Sequence, residues 1–295
     1  MENGTPQWTS KVGTNQSFHK ANPLRYPLKV RSTYLGTSNE IKSNLLGSQR
    51  IIGGTKVPRG FGRFHASLQD LTGNHVCGGA IISHRHLATA AHCVIGTKPE
   101  YIKVVVGTTD LDRGGLKYEV KSIHVHEKYN ISLKLNDIAV LEIKELFDSE
   151  KVEILRLDDK ELQEHDIVLL TGFGAKEPHG ESSRRMYALN IKVFNQETCQ
   201  FAMRYNREVF DSMLCTFSRI GQGGCHGDSG GPLTKDNKLV GLVSWGIPCA
   251  VGFPDVHTRI SSYVLWIKSI IDRKLCSYCR PRTLKTAMNF KIYKK

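Results

Sequence analysis

Between Ile51 and about residue 262 the sequence is a succession of short apolar runs, each closed by turn residues. The clearest are Val76 to Ile82, Ile102 to Val106, Ile138 to Ile143, Ile167 to Leu170, Leu189 to Val193 and Leu239 to Trp245. Short runs at this spacing predict antiparallel strands closed into a barrel or stacked as a sandwich. Near the end the pattern changes. In Tyr263-Val264-Leu265-Trp266-Ile267-Lys268-Ser269-Ile270-Ile271, Val264, Ile267 and Ile271 lie three and four residues apart. That spacing predicts a short amphipathic helix with one face on the domain. The expectation is therefore an all-β chain with a C-terminal α-helix.

Composition bounds the alternatives. A chain of 295 residues that is 40% hydrophobic and has 27 glycines can bury a real core, as one large all-β domain or two smaller ones. No stretch approaches eighteen uncharged apolar residues, so no membrane span is expected. The formal charge of +13 is unevenly placed. Residues 1–50 hold seven Lys/Arg against two acids, and residues 276–295 hold six against none. The segment between is close to balanced, and no aromatic-interleaved motif accompanies the basic ends, so nucleic acid is not an expected partner. We read residues 1–50 as a poorly ordered leader, 51–275 as the folded domain and 276–295 as a basic tail. The start Met1-Glu2-Asn3-Gly4-Thr5 lacks a basic stretch followed by an apolar core, so no signal peptide is read there.

Three segments carry chemistry. In Gly227-Asp228-Ser229-Gly230-Gly231-Pro232 a serine stands among glycines that let the backbone turn sharply, so that the Gly227 and Ser229 N–H groups can converge on one point. A serine hydroxyl is a weak nucleophile and needs a base and donors for the oxyanion it creates. The bland alternative is a glycine-rich turn that merely contains Ser and Asp. Ala88-Thr89-Ala90-Ala91-His92-Cys93 surrounds a histidine with small residues, as a closely approached base requires. Asn136-Asp137-Ile138-Ala139-Val140-Leu141 sets an acid at the head of an apolar run, suited to a buried carboxylate that orients that histidine. The order His, Asp, Ser makes chance agreement of all three a poor explanation.

These segments resemble the chymotrypsin-fold serine peptidases, insect chymotrypsins in particular, from Ile51 to about Leu275. The resemblance implies two six-stranded antiparallel β-barrels with the site between them and a C-terminal α-helix. It implies that Ser229 attacks the scissile carbonyl, that His92 moves the proton, and that Asp137 fixes the His92 tautomer. It also implies a zymogen cut between Arg50 and Ile51, whose freed ammonium pairs with Asp228 and shapes the oxyanion hole of Gly227 and Ser229. Disulfides Cys77–Cys93, Cys199–Cys215 and Cys225–Cys249 follow from the same resemblance. Cys276 and Cys279 match nothing in it. A secreted monomer without cofactor or metal is implied, with protein or peptide substrates, a trypsin-like activating protease and protein protease inhibitors as partners. Asp110 and Asp112 lie in a loop that lacks the paired glutamates of calcium-binding relatives. A non-catalytic homologue that binds partners through the same fold is the competing class.

In that family the pocket floor lies six residues before the nucleophile, here Gly223, and the wall is Ser244-Trp245-Gly246. A neutral floor implies cleavage after large apolar or aromatic residues. Asp255, where many relatives have glycine, opposes this: a displaced acid recruits Lys or Arg, whereas a carboxylate bonded to backbone, or protonated, does not.

Overall fold

The computed structural model describes residues 51–175, 177 and 180–272. The leader with Arg50 and the tail with Cys276 and Cys279 lie outside the described residues. Within them the strands are β1 (Thr55–Lys56), β2 (His65–Gln69), β3 (His75–Ile81), β4 (His86–Thr89), β5 (Lys103–Val106), β6 (Leu116–Val125), β7 (Ala139–Ile143), β8 (Arg156–Leu157), β9 (Ile167–Gly172), β10 (Tyr187–Lys192), β11 (Met213–Thr216), β12 (Pro232–Lys235), β13 (Lys238–Gly246) and β14 (Asp255–Arg259). Two short α-helices accompany them, α1 (Gln196–Met203) and α2 (Val264–Ile271). Each of the six apolar runs read from the sequence falls in a strand: β3, β5, β7, β9, β10 and β13.

The first half closes completely, as a barrel ordered β2-β3-β4-β7-β6-β5. Its interior holds Leu68, Ile81, Leu87, Val104, Leu141 and Ile143. The second half is a sheet ordered β1-β10-β9-β12-β13-β14-β11, with β8 on β13. Its ends are brought together beyond β10 and β11: Phe194 N donates to Cys215 O at 2.9 Å and Phe217 N to Lys192 O at 2.9 Å, around a bridge between Val193 and Thr216. Six main strands thus wrap around Ile51, Val168, Leu170, Ile191, Leu214 and Leu233.

A third cluster joins the halves. Phe64, Ala88, Ile138 and Val140 from the first pack with Leu239, Leu242 and Ile260 from the second and with α2. The buried helix residues are Val264, Ile267 and Ile270, and Ile271 is only half-buried, so the face is turned one residue from the expected one. Each such side chain removed from water contributes about 1.5–3 kcal/mol.

The three disulfides join the expected partners, Cys77–Cys93, Cys199–Cys215 and Cys225–Cys249. The second ties α1 to β11, away from the histidine and serine segments. Replacing Cys199 and Cys215 by alanine is expected to lower the unfolding free energy by about 3 kcal/mol, the entropy of a loop of this size. Urea unfolding measures it; an unchanged midpoint would refute the assignment of that cross-link as a stabilising one.

Candidate active site

His92 lies in a single 3-10 turn, Ala91–Cys93, directly after β4. Ala88, Thr89, Ala90 and Ala91 before it are fully buried, so small side chains let other backbone come close. Asp137, 1% exposed, heads β7 and reaches this turn. Its Oδ1 accepts the His92 backbone N–H at 2.8 Å, and its Oδ2 lies 2.7 Å from His92 Nδ1. A carboxylate only accepts, so Nδ1 carries the proton and Nε2 keeps a lone pair. The same Oδ2 accepts the Ser244 hydroxyl at 2.6 Å, and the Asp137 carbonyl accepts that of Thr258 at 2.6 Å. The acid is thus held from both β13 and β14.

The Ser229 segment is seated on the same strand end. Gly78 N donates to Ser229 O at 2.7 Å, and Gly230 N to Val243 O at 2.7 Å. Gly230 has φ +72°, and a Cβ there would lie 2.2 Å from Thr89 Oγ1 and 3.0 Å from Ala90 N. Only a glycine allows this approach. The residue after Ser229 therefore touches the residues two and three before His92, across the boundary between the halves. Asp228, Gly230 and Gly231 all donate their N–H groups to backbone carbonyls. Those of Gly227 and Ser229 donate to no group among the described residues.

Behind this loop lies a network that the sequence did not single out. His75 Nε2 donates to Gly227 O at 2.8 Å, which leaves Nδ1 to accept from Ser67 Oγ at 2.8 Å. His65 Nδ1 is 3.0 Å from Thr171 Oγ1 on β9. Burial pushes His75 down to about 4 and His65 to about 3, so both rings are neutral near pH 7. They pack edgewise and tilted on Phe173. Nothing in the spacing of a histidine two residues before Cys77 announces this role; it exists only once β2, β3 and the Ser229 loop meet.

Asp228 is 1% exposed. Its Oδ1 accepts from Gly174 N at 2.9 Å and its Oδ2 from Cys225 N at 2.9 Å. Burial pushes its carboxyl up to about 7, against those two donors. A Cβ on Gly174 would lie 2.4 Å from that carboxyl group. Ile51 is fully buried, and Ile52 O accepts from Gly223 N at 3.1 Å, so the start of the domain docks beside this loop.

Gly223, Gly246 and Asp255 come together, and Asp255 explains both glycines. Its Oδ2 accepts from Gly224 N at 2.7 Å. A Cβ on Gly223 would lie 2.6 Å from that Oδ2, and one on Gly246 would lie 3.2 Å from Oδ1. Burial chiefly raises the Asp255 carboxyl to about 7; Gly224 N–H opposes this and the charge of Asp228 adds to it. Ser244, read as pocket wall, donates its hydroxyl to Asp137. Asp112 and Asp110 are held by Arg184 at 2.8 Å and Arg185 at 3.4 Å. Cys77, Cys93 and His92 lie close enough to suit a metal, but both sulfurs are spent in a disulfide.

With two β halves meeting at an Asp-held histidine and a glycine-flanked serine, the molecule belongs to a class of serine proteases. The family model Trypsin matches residues 51–267. Chymotrypsin-2 of Vespa crabro is 36% identical over 220 residues, 74% of this chain and 98% of that protein. Trypsin 5G1 of Aedes aegypti is 35% identical over 231 residues, 77% of this chain and 86% of that one. The Vitellin-degrading protease of Bombyx mori is 31% identical over 245 residues, covering 81% and 92%. Among solved structures, neuropsin, a serine protease expressed in the limbic system of mouse brain, superposes with a TM-score of 0.68 at 27% identity, over 74% of this chain and 99% of that one. This chain belongs to the trypsin family of serine proteases.

Proposed function

We propose that this protein is the zymogen of a secreted serine endopeptidase that acts through an acyl-enzyme. The observation that carries this reading is the His92–Asp137 pair lying against the glycine-bounded Ser229 turn. Ser229 Oγ attacks the scissile carbonyl while His92 Nε2 takes its proton; the proton then passes to the leaving amine, and water repeats the cycle on the acyl group. The unengaged N–H groups of Gly227 and Ser229 supply the donors for the developing oxyanion. Three disulfides support an oxidising compartment. No helix among the described residues is long and apolar enough to cross a membrane.

For specificity we propose large apolar residues, Phe or Tyr first, before the scissile bond. The floor carries no charge of its own at Gly223, and the one acid is bonded to Gly224 N and raised to about 7. That last observation favours a second reading above neutrality. Below about 7 Asp255 is protonated and the pocket neutral; above it the carboxylate can hold Lys or Arg. The ratio of kcat/KM for an Arg peptide to that for a matched Phe peptide is expected to rise as pH passes from 6 to 8.5. A panel with Phe, Tyr, Leu, Arg and Lys, run on protein cut after Arg50, measures it. Fastest cleavage after Arg at pH 6 refutes the apolar preference, and a flat ratio refutes the switch.

A further inference from the structure

At the Asp137 end of the site lie two cations that neither the triad nor the pocket uses. Lys134 stands three residues before Asp137 in a left-handed backbone conformation, φ +54°. Its Nζ donates to Tyr129 Oη at 3.4 Å. Arg207, in the loop after α1, places its guanidinium 5.0 Å from the centre of the Trp245 ring. Trp245 is the neighbour of Ser244, whose hydroxyl is bonded to Asp137, and of Gly246, which lines the pocket beside Asp255. The two cations are near enough to act on each other: burial chiefly lowers the Lys134 ammonium, Asp137 opposes this, and the charge of Arg207 adds to the lowering.

Among the described residues neither Lys134 nor Arg207 is ion-paired with a carboxylate, and both are half-buried. Asp137 attracts Lys134 from a distance, but both its oxygens are committed to His92 and Ser244. The buried indole N–H of Trp245 also has no acceptor among the described residues. Two partly desolvated like charges with unfilled donors are unfavourable alone and become favourable when an anion joins them. A guanidinium lying over an indole face keeps its N–H groups directed outward at its edge, where a carboxylate accepts two of them. The nearby lysine adds a compact charge.

We propose that Lys134 and Arg207 form a carboxylate-binding subsite beside Trp245, which selects substrates carrying Asp or Glu close to the residue held in the pocket. The inference rests on the peptidase reading and names a second element of its substrate. Its position follows from β13, which runs from the Ser229 loop at Val243 through Ser244 to the pocket wall at Gly246, so an extended peptide seated in the pocket passes Trp245.

The test uses the full chain cut after Arg50 and matched peptides with Phe before the scissile bond. Glu or Gln is placed in turn at each of the three positions before that Phe and the two after the bond. At one position Glu is expected to raise kcat/KM about tenfold over Gln, mostly through KM, the size of one partly desolvated ion pair. The advantage is expected to shrink several-fold between about 0.05 and 0.5 M salt. Arg207→Glu together with Lys134→Glu is expected to invert it, so that a Lys peptide outruns the Glu peptide at that position. A Glu/Gln ratio near one at every position overturns the proposal while leaving the peptidase reading intact. Turnover of none of the peptides, with no labelling of Ser229 by a phosphonate-type serine reagent, overturns both.

Discussion

His92→Ala is expected to lower kcat on the best peptide about 10⁴- to 10⁶-fold, with KM and the unfolding midpoint close to those of the parent. The size of the loss follows from what the ring does. Asp137 fixes the Nδ1 proton and leaves Nε2 with the lone pair that is the base of the proposed mechanism; alanine leaves the hydroxyl at its ordinary, weakly nucleophilic state. Ser229→Ala is expected to cost as much, and the two together no more than either alone, because each is useless without the other. Asp137→Asn is the sharper test. Asp137 Oδ1 accepts from His92 N and Oδ2 faces His92 Nδ1. An amide facing the ring with its NH₂ forces Nδ1 to accept, which moves the ring proton to Nε2 and removes the base. An amide turned the other way sets its NH₂ against the His92 backbone N–H and against nothing that can accept. Either orientation is expected to reduce kcat about 10⁴-fold. Steady-state kinetics together with serine-reagent labelling measure these effects. Parent-like turnover in His92→Ala sinks the mechanism, and absence of labelling in the cut parent favours a homologue that binds rather than cleaves.

Much of this architecture was legible in the residues, and what was not has a common cause. The strands found from the sequence are those whose side chains are apolar without interruption. β2, His65–Gln69, escaped notice although all five residues are buried. Ala66 and Leu68 enter the first core, while His65 and Ser67 turn to the junction with the second half, where hydrogen bonds replace apolar contact. β14 reads the same way, with Asp255 and His257 buried alongside Val256. The strand β6 was missed because its exposed face carries Lys117, Glu119 and Lys121, alternating with Tyr118 and Val120. The His92, Asp137 and Ser229 segments stood out because each sits in a short local motif. The roles of Ser244, Thr258, His75 and Gly78 were not, since each acts through a partner at least a hundred residues away or through the mere lack of a side chain.

Cleavage between Arg50 and Ile51 is expected to raise kcat/KM about 10²- to 10⁴-fold, and Asp228→Asn is expected to abolish that gain while leaving the fold intact. Among the described residues no cation pairs with Asp228; two backbone N–H groups are its donors. Burial without a counter-charge keeps its proton on until about pH 7. A buried carboxylate that gains a full positive partner changes by about 3–5 kcal/mol, which sets the expected factor. The start of the domain docks beside the loop that carries Asp228, with Ile52 O accepting from Gly223 N. Ile51 is fully buried, and it holds φ +41°, a conformation unfavourable for a β-branched side chain. Cutting the bond before it removes the constraint on that angle and creates the ammonium in one step. The pH dependence then follows with a definite sign. A free α-amine titrates near 7.7–8.0. Pairing with Asp228 raises that value, so the activating contribution is full below the free value and is lost as pH rises through the raised one. The alkaline limb of kcat/KM is therefore expected in the cut parent and absent from cut Asp228→Asn, which stays at the level of uncut protein throughout. Equal turnover before and after cleavage, or full activity in the cut asparagine variant, means that Ser229 is competent without this pair and that Asp228 only stabilises the loop.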